Sequence, residues 1–537
     1  MSINIVINID RGSTFTTNSN GISISFKQTG NTGNTYNYTS INNQTSIPGS
    51  IFLNDINLLS ISLINVASSN FKTIGDSAFK GCISLIKVII PNTVNYIGKS
   101  AFEGCSKLTD ITLNTTIIPN IEINTFKDCI ALRGIVLPSS VYYIKASAFQ
   151  NCISLQTMTI PIKVNNLGEN VFANCTSLTV MIIPSIILSI PNNLFYGCVN
   201  LQSVIILGRI VSIGNSAFQG CIALGTNSLA YISLPSSLLS IGNYAFEGCS
   251  ALTSLTLPNS ITSIGTNIFQ NCVKLATFSF QSPSKLTFIS EYAYNNCSSL
   301  GTLTIPSSIT SIQKYAFSNS GLKLISIPGT VKTIHSYTFF QCLNLQSITL
   351  NTGITFIYDN VFNECTKLSS VILPNSVSSC GINTFAYCSK LTSLTLSSGL
   401  VDISNNFAQG CSMLATVSIP TGILTIGDSA FQDCISLATI KLPKSIKTIK
   451  SSAFQNCSKL SSITLPDYVS TLGGDAFKGC SKLTIITIPY SITTFGNANI
   501  FDECALLTTA RISLQGRIDK IDITTLPVYI YLLTLNP

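Results

Sequence analysis

Nineteen cysteines and one histidine are the residues of this 537-residue chain whose side chains could do nucleophilic or metal chemistry. Their spacing argues against both. Eighteen of the cysteines occupy one position of a repeat: 82, 105, 129, 152, 175, 198, 221, 249, 272, 297, 342, 365, 388, 411, 434, 457, 480 and 504, with Ser320 in the same register between 297 and 342. A pitch of mostly 23 residues is not the C-x-x-C spacing of a zinc site. The lone imidazole, His335 in Thr333-Ile334-His335-Ser336, takes a slot usually held by a turn glycine and is expected to face solvent. No second histidine completes an H-x-x-x-H pair, no G-x-x-x-x-G-K-[ST] phosphate loop is present, and Asp and Glu are scattered without a paired constellation. The expectation is no enzyme, no cofactor and no metal.

The cysteines also do not read as a disulfide framework. A uniform inward column specifies no pairing, and Ser320 shows that the slot accepts a residue that cannot bridge. Buried free cysteine behaves as a small hydrophobe, and this leans toward a reducing compartment. Cys380 lies outside the column, in an Ile slot of Ser378-Ser379-Cys380-Gly381, and is expected in the core.

The elements that carry this column are nineteen short units, as in Ile74-Gly75-Asp76-Ser77-Ala78-Phe79-Lys80-Gly81-Cys82 and Ile426-Gly427-Asp428-Ser429-Ala430-Phe431-Gln432-Asp433-Cys434. A fixed period of this size marks a solenoid in which each unit contacts only its neighbours. After the cysteine comes Leu-x-x-Ile-x-Leu, as in Leu108, Ile111 and Leu113, whose last three residues alternate in, out, in like a strand. A proline often follows (Pro91, Pro138, Pro235, Pro258, Pro466) and ends ladder pairing. The Ser-Ala-Phe-x-x-Cys segment is expected to make a 3₁₀ or brief helical turn that points Phe and Cys inward. The period is broken by insertions near Gly225 to Ala230 and near Ser282 to Lys285, and Phe and Ala exchange places at Asn406-Phe407-Ala408.

Residues 1–55 lie outside the repeat, with alternating Ile3, Ile5, Ile7 and Ile9, and are read as a β-rich N-terminal cap or a small attachment domain. The solenoid is assigned to 56–514 and a C-terminal cap to 515–537. Charged residues make up 9% of the chain and its net charge of +8 is thinly spread, so no concentrated basic stripe marks a nucleic-acid protein. Lysines at the second position after the cysteine (Lys107, Lys274, Lys367, Lys390, Lys459, Lys482) read as solubilising. No signal peptide and no membrane span is expected. The default is therefore a cytoplasmic protein, with a cell-surface or virion-associated one as the alternative.

The unit Ile-Gly-x-x-Ala-Phe-x-x-Cys-x-x-Leu-x-x-Ile-x-Leu-Pro resembles the BspA-like class of leucine-rich repeats over roughly residues 58–514. The resemblance implies a β-dominated right-handed solenoid, with a parallel concave sheet and short 3₁₀ or helical turns on the convex side. It also implies kinship with surface proteins and adhesins, and it brings no catalytic residues.

Function is then expected on the outward residue of each strand. Thirteen of these nineteen positions are Ser or Thr, among them Thr159, Ser233, Thr256, Thr304, Thr349, Thr395 and Ser513. Val136, Ile182 and Ile205, with Val180 beside them, interrupt the hydroxyl ladder as an apolar patch and are the first choice for a partner contact. The expected function is a non-enzymatic, adhesin-like or scaffolding module that binds a protein or glycan on its concave face. The alternative is a self-associating structural component of a particle or fibre.

Overall fold

The computed structural model describes residues 46–507 except 48, 57, 64–71, 114–116, 227–231, 490 and 497–498, and in addition the backbone of Asn4–Ile9, Thr35–Thr39, Thr509–Leu514 and Arg517–Asp522. It comprises two units, residues 1–273 and 274–537. Each is a β-solenoid of one coil design with parallel strands, about nineteen coils among the described residues.

One coil of the first unit shows the design. The strand Lys87–Ile90 alternates exposed and buried residues, turning Val88 and Ile90 inward. It pairs in parallel with Asp110–Leu113 at an offset of one repeat: Lys87 with Asp110, Val88 with Ile111, Ile89 with Thr112, Ile90 with Leu113. Pro91 turns the corner, and a two-residue strand, Tyr96–Ile97, pairs with Thr73–Ile74 on a second, narrower sheet. The chain then returns through Gly98 to Cys105.

That return segment is a run of turns and not the 3₁₀ or helical turn expected of Ser-Ala-Phe; no helix occurs among the described residues. The reason lies in where the N–H groups go. A 3₁₀ turn spends every N–H internally. Here only alternate ones point back along the chain: Ala78 N–H to Gly75 O, Lys80 to Ser77 and Cys82 to Phe79, at 3.1–3.3 Å. The others reach the next coil: Ser77 N–H to Lys99 O, Phe79 to Ala101 and Gly81 to Glu103, at 2.7–2.8 Å. Closing two such turns in a row needs φ near +55° at Ser77 and +74° at Gly81. The second position is therefore Gly, Asn or Asp in most coils (Gly104, Asp128, Asn151), the types that bear the left-handed region at least cost.

The core is a set of columns. Phe52, Phe79, Phe102, Phe126, Phe149, Phe172, Phe195, Phe218, Phe246 and Phe269 stack in order in the first unit, with centroids 5.1–5.9 Å apart and ring planes within 21°. In the second unit Tyr294, Phe317, Phe339, Phe362 and Phe385 stack likewise. At the exchanged pair the stack breaks: Phe407 meets Phe385 edge-on at 81°, and the next thiol, Cys434, reaches the carbonyl of Ala408 in place of a phenylalanine.

Beside this column run the cysteines, unpaired and, apart from half-exposed Cys380, buried. In the column the thiols do more than fill space. Cys105 Sγ donates to Phe79 O at 3.1 Å, Cys129 to Phe102 O at 3.1 Å and Cys152 to Phe126 O at 3.1 Å, so along most of the column a thiol ties its coil to the one before it. Burial pushes these thiols up, to about 12 at Cys198, and suppresses the nucleophilic thiolate.

At the first unit's start, Asn4–Ile9 lies antiparallel between Thr35–Thr39 and Leu58–Leu63. Residues 46–55 already carry the return half of a coil: Ser46–Ile47 pairs with Thr73–Ile74, Phe52 stacks on Phe79, and Phe52 N–H donates to Ala78 O. In the second unit Arg517–Asp522 turns back antiparallel on Thr509–Leu514. The backbone pairing places Arg511, and not Ser513, opposite Thr487.

An ion pair replaces the usual glycine in two adjacent coils. Glu122, 3% exposed, receives Lys145 Nζ at 2.7 and 2.9 Å and Asn120 Nδ2 at 3.3 Å. Lys145→Met would leave the carboxylate buried without its cation. Because Lys145 is itself partly exposed, the expected loss is about 1–3 kcal/mol, below that of a fully buried pair. A urea titration measures it, and pairing the change with Glu122→Gln should recover most of the loss.

Candidate functional site

In the first unit the strand face gathers four of the predicted contact residues. Thr159, Val136, Val180 and Ile182 line a groove of about 620 Å³ together with Thr109, Thr112 and Met158. Val136 is 86% exposed, the highest value of any large apolar side chain among the described residues, and Ile182 is 47% exposed. Ile205 pairs with Ile182 on the next strand but is half-buried and does not line the groove. Ser233 and Thr256 are exposed in the same unit, away from it.

The groove sits where sheet bonding thins. Asp110–Leu113 and Val180–Ile183 are four-residue strands, but on this face the two coils between them carry, among the described residues, a single bridge, Gly134 with Thr157, while their narrow sheet stays paired through Tyr143–Ile144. Gly134 leaves the floor open: a Cβ added there would meet nothing closer than Thr157 O at 3.6 Å. The groove is electrically quiet. Its one charged lining residue, Asp110, is neutralised by Lys87 at 2.8 Å.

In the second unit the predicted hydroxyls stand in register on the strand face, with one exposed apolar residue, Ile372 (70%), directly beside Thr395. Thr304 pairs with Ser326, and Ser326 with Thr349. Thr395 belongs to another sheet, between Ile372 and Ser418. All three threonines are exposed. Thr304 also lines a second pocket, of about 390 Å³, that the ladder pattern does not announce.

His335, the one imidazole, is half-buried at the surface. Its ring stacks on Tyr358 at 5.2 Å, and burial followed by the nearby Lys314 charge holds its pKa below the usual value. Cys380, expected in the core, pairs with Ile357 as the Ile slot requires but keeps partial exposure. Among the described residues, no group of three His, Cys, Asp or Glu is placed to hold a metal ion. No helix of the described residues is long and apolar enough to cross a membrane.

The coil design with its Phe and Cys columns agrees with comparison to known proteins. A family model described as "BspA type Leucine rich repeat region (6 copies)" matches residues 22–120, 119–226, 223–342, 310–438 and 401–523. The chain belongs to the BspA-type leucine-rich repeat family. Solved structures with a similar chain include a leucine-rich repeat protein from Bacteroides ovatus, 24% identical, with 87% of this chain and 94% of that one covered at a TM-score of 0.34. A leucine-rich cell surface protein from Faecalibacterium prausnitzii is 24% identical over 76% of this chain and 95% of its own, at a TM-score of 0.38. The pneumococcal vaccine antigen PcpA is 18% identical over 84% and 83%, at 0.29. No curated protein sequence matches the chain.

For a BspA-type repeat, the features that pattern reading misses are single-coil departures. Gly134 and Met158 are legible only by comparing each coil with its neighbours. So are Ile162, 84% exposed, and Leu188 and Leu207, both 62% exposed, which extend apolar surface past the strand ends of the first unit.

Proposed function

We propose that this BspA-type repeat protein is a non-catalytic binding module whose first unit docks a protein segment across its strand face. One observation carries the reading: Val136, Val180 and Ile182 are exposed together, beside Thr112 and Thr159, where pairing on the strand face thins to a single bridge. Exposed apolar groups of this kind mark interaction sites, and leucine-rich repeat proteins generally bind proteins. With no unpaired charge in the groove, the contacting part of the partner is an uncharged segment of apolar and hydroxyl side chains.

Residues 1–45 and 515–537 serve in this reading as end caps, the expected cap of 1–55 being shortened because residues 46–55 already belong to a coil. The antiparallel strands at Asn4–Ile9 and Arg517–Asp522 support that role, since a reversed strand stops parallel addition of further coils. The reading also favours a reducing compartment. A disulfide would remove the S–H groups that bind coil to coil.

The test compares capture from the native source by the full chain and by its Val136→Asp/Ile182→Asp variant. The account expects a partner held by the parent and weakened at least about tenfold in the variant, with unchanged circular dichroism because both side chains face outward. Equal capture by both contradicts the choice of groove. Light scattering addresses the assembly alternative: a clean monomer at high concentration removes it.

A further inference from the structure

The coil that begins after Cys272 departs from the array in four ways at once. Its two inward strand positions are Phe278 and Phe280, where neighbouring coils carry Leu303 and Ile305 or Ile325 and Ile327. Gln281 stands where those coils have Pro306 and Pro328. Ser-Pro-Ser (282–284) marks a two-residue insertion, Cys272 to Cys297 being 25 residues against the usual 23. Tyr294 replaces the phenylalanine of the aromatic column. In an array this uniform, four departures in one coil need a shared cause.

The structure gathers them around one cavity. Phe280 packs edge-on against Phe278 (5.2 Å, 79°), and Phe278 edge-on against Tyr294 (4.9 Å, 72°), a three-ring cluster beside the parallel stack that Tyr294 continues onto Phe317. Phe280 is half-buried, and its exposed part forms the wall of the 390 Å³ pocket. The other wall is Thr304, Pro306, Ser307 and Ser308 from the following coil, with Gln281 at the rim. Ser308 Oγ is buried there without a hydrogen-bond partner among the described residues. No charged residue lines the pocket.

We propose that this pocket binds a neutral sugar residue. A rigid aromatic surface flanked by hydroxyls and one amide, with no charge, matches a ring that has C–H faces and hydroxyl edges. The volume lies within the range of small-molecule sites. An anionic ligand would find no cation here, and a purely apolar one would leave the hydroxyls unpaired. The site is independent of the protein-docking groove, which lies in the other unit.

Saturation-transfer difference NMR on the full chain tests it, with glucose, galactose, mannose and N-acetylglucosamine as probes and N-acetylneuraminic acid as the charged control. At least one neutral sugar should receive saturation at up to about 20 mM, the weak range expected of a small ligand with few contacts. Its binding should weaken at least about tenfold in Phe280→Leu, which restores the array's ordinary residue, and in Gln281→Ala. Both variants should keep the parent's circular dichroism; if Phe280→Leu does not, Gln281→Ala decides. The proposal is overturned by silence from all four neutral sugars, by an equal response from N-acetylneuraminic acid, or by binding that survives in the folded variants. It is also overturned by a proline-rich decapeptide that binds where the sugars do not.

Discussion

Phe149→Ala is expected to lower the stability of the first unit by about 3–5 kcal/mol, the range for deleting a buried ring. Phe149 has no exposed surface, and both faces are covered: Phe126 lies at 5.3 Å on one side and Phe172 at 5.9 Å on the other. The cavity left behind cannot collapse easily, because the coils above and below are held at fixed spacing by Phe149 N–H to Val171 O (3.0 Å) and Phe126 N–H to Ala148 O (2.9 Å). Phe149→Leu keeps most of the volume and should cost about 1–2 kcal/mol. Phe52→Ala is the internal control. That ring stacks only on Phe79 among the described residues and is half-exposed, so its loss should cost about 1–2 kcal/mol. Guanidinium titrations followed by circular dichroism give the three values. Equal losses at Phe149 and Phe52 would contradict the stacked column.

Cys152→Asp is expected to be as damaging near pH 8, by about 3–5 kcal/mol, because it places an uncompensated charge in a dry column. Cys152 has no exposed surface, and its thiol donates to Phe126 O at 3.1 Å. A carboxylate cannot donate, and it would face that carbonyl oxygen. Burial raises the folded-state pKa of the new carboxyl above its unfolded value of about 3.9. The penalty is therefore full above the folded pKa and fades as pH falls through it, so the variant should approach the parent between pH 8 and pH 5. Cys152→Ser should cost at most about 1–1.5 kcal/mol at any of these pH values, since a hydroxyl keeps the donor. The chain already carries that replacement at Ser320, which is buried. A carboxylate tolerated at pH 8 would mean that water reaches the column.

The repeat was legible because inward positions recur at one pitch: Phe, Cys, Leu and Ile keep their spacing whatever occupies the surface. That spacing located the strands, the outward Ser/Thr ladder and the apolar break at Val136, Val180 and Ile182. Three things were not legible, each for a physical reason. The turn run was read as 3₁₀ because side-chain pattern does not report which N–H groups bond to the next coil. The first coil was missed because Asp55 stands in the cysteine slot and Pro48-Gly49 in the turn, although Ile47 and Phe52 keep their places. The groove was missed because it depends on an absence, the side chain that Gly134 lacks, and on how far neighbouring strands pair. Ser513 was misplaced for a related reason: Ile512-Ser513-Leu514 repeats the Ile-x-Leu pattern, but register is set by backbone pairing with Ile485–Pro489, which puts Arg511 opposite Thr487.

The stacked-coil account is tested most directly by counting thiols with a chromogenic disulfide reagent at pH 8, before and after unfolding, on protein purified without reductant. Burial should leave the native column unreactive, with at most the partly exposed Cys380 responding quickly, and all nineteen thiols should appear once the chain is unfolded. Several fast thiols in the native chain, or fewer than nineteen in the unfolded one, would contradict a closed interior file of unpaired cysteines.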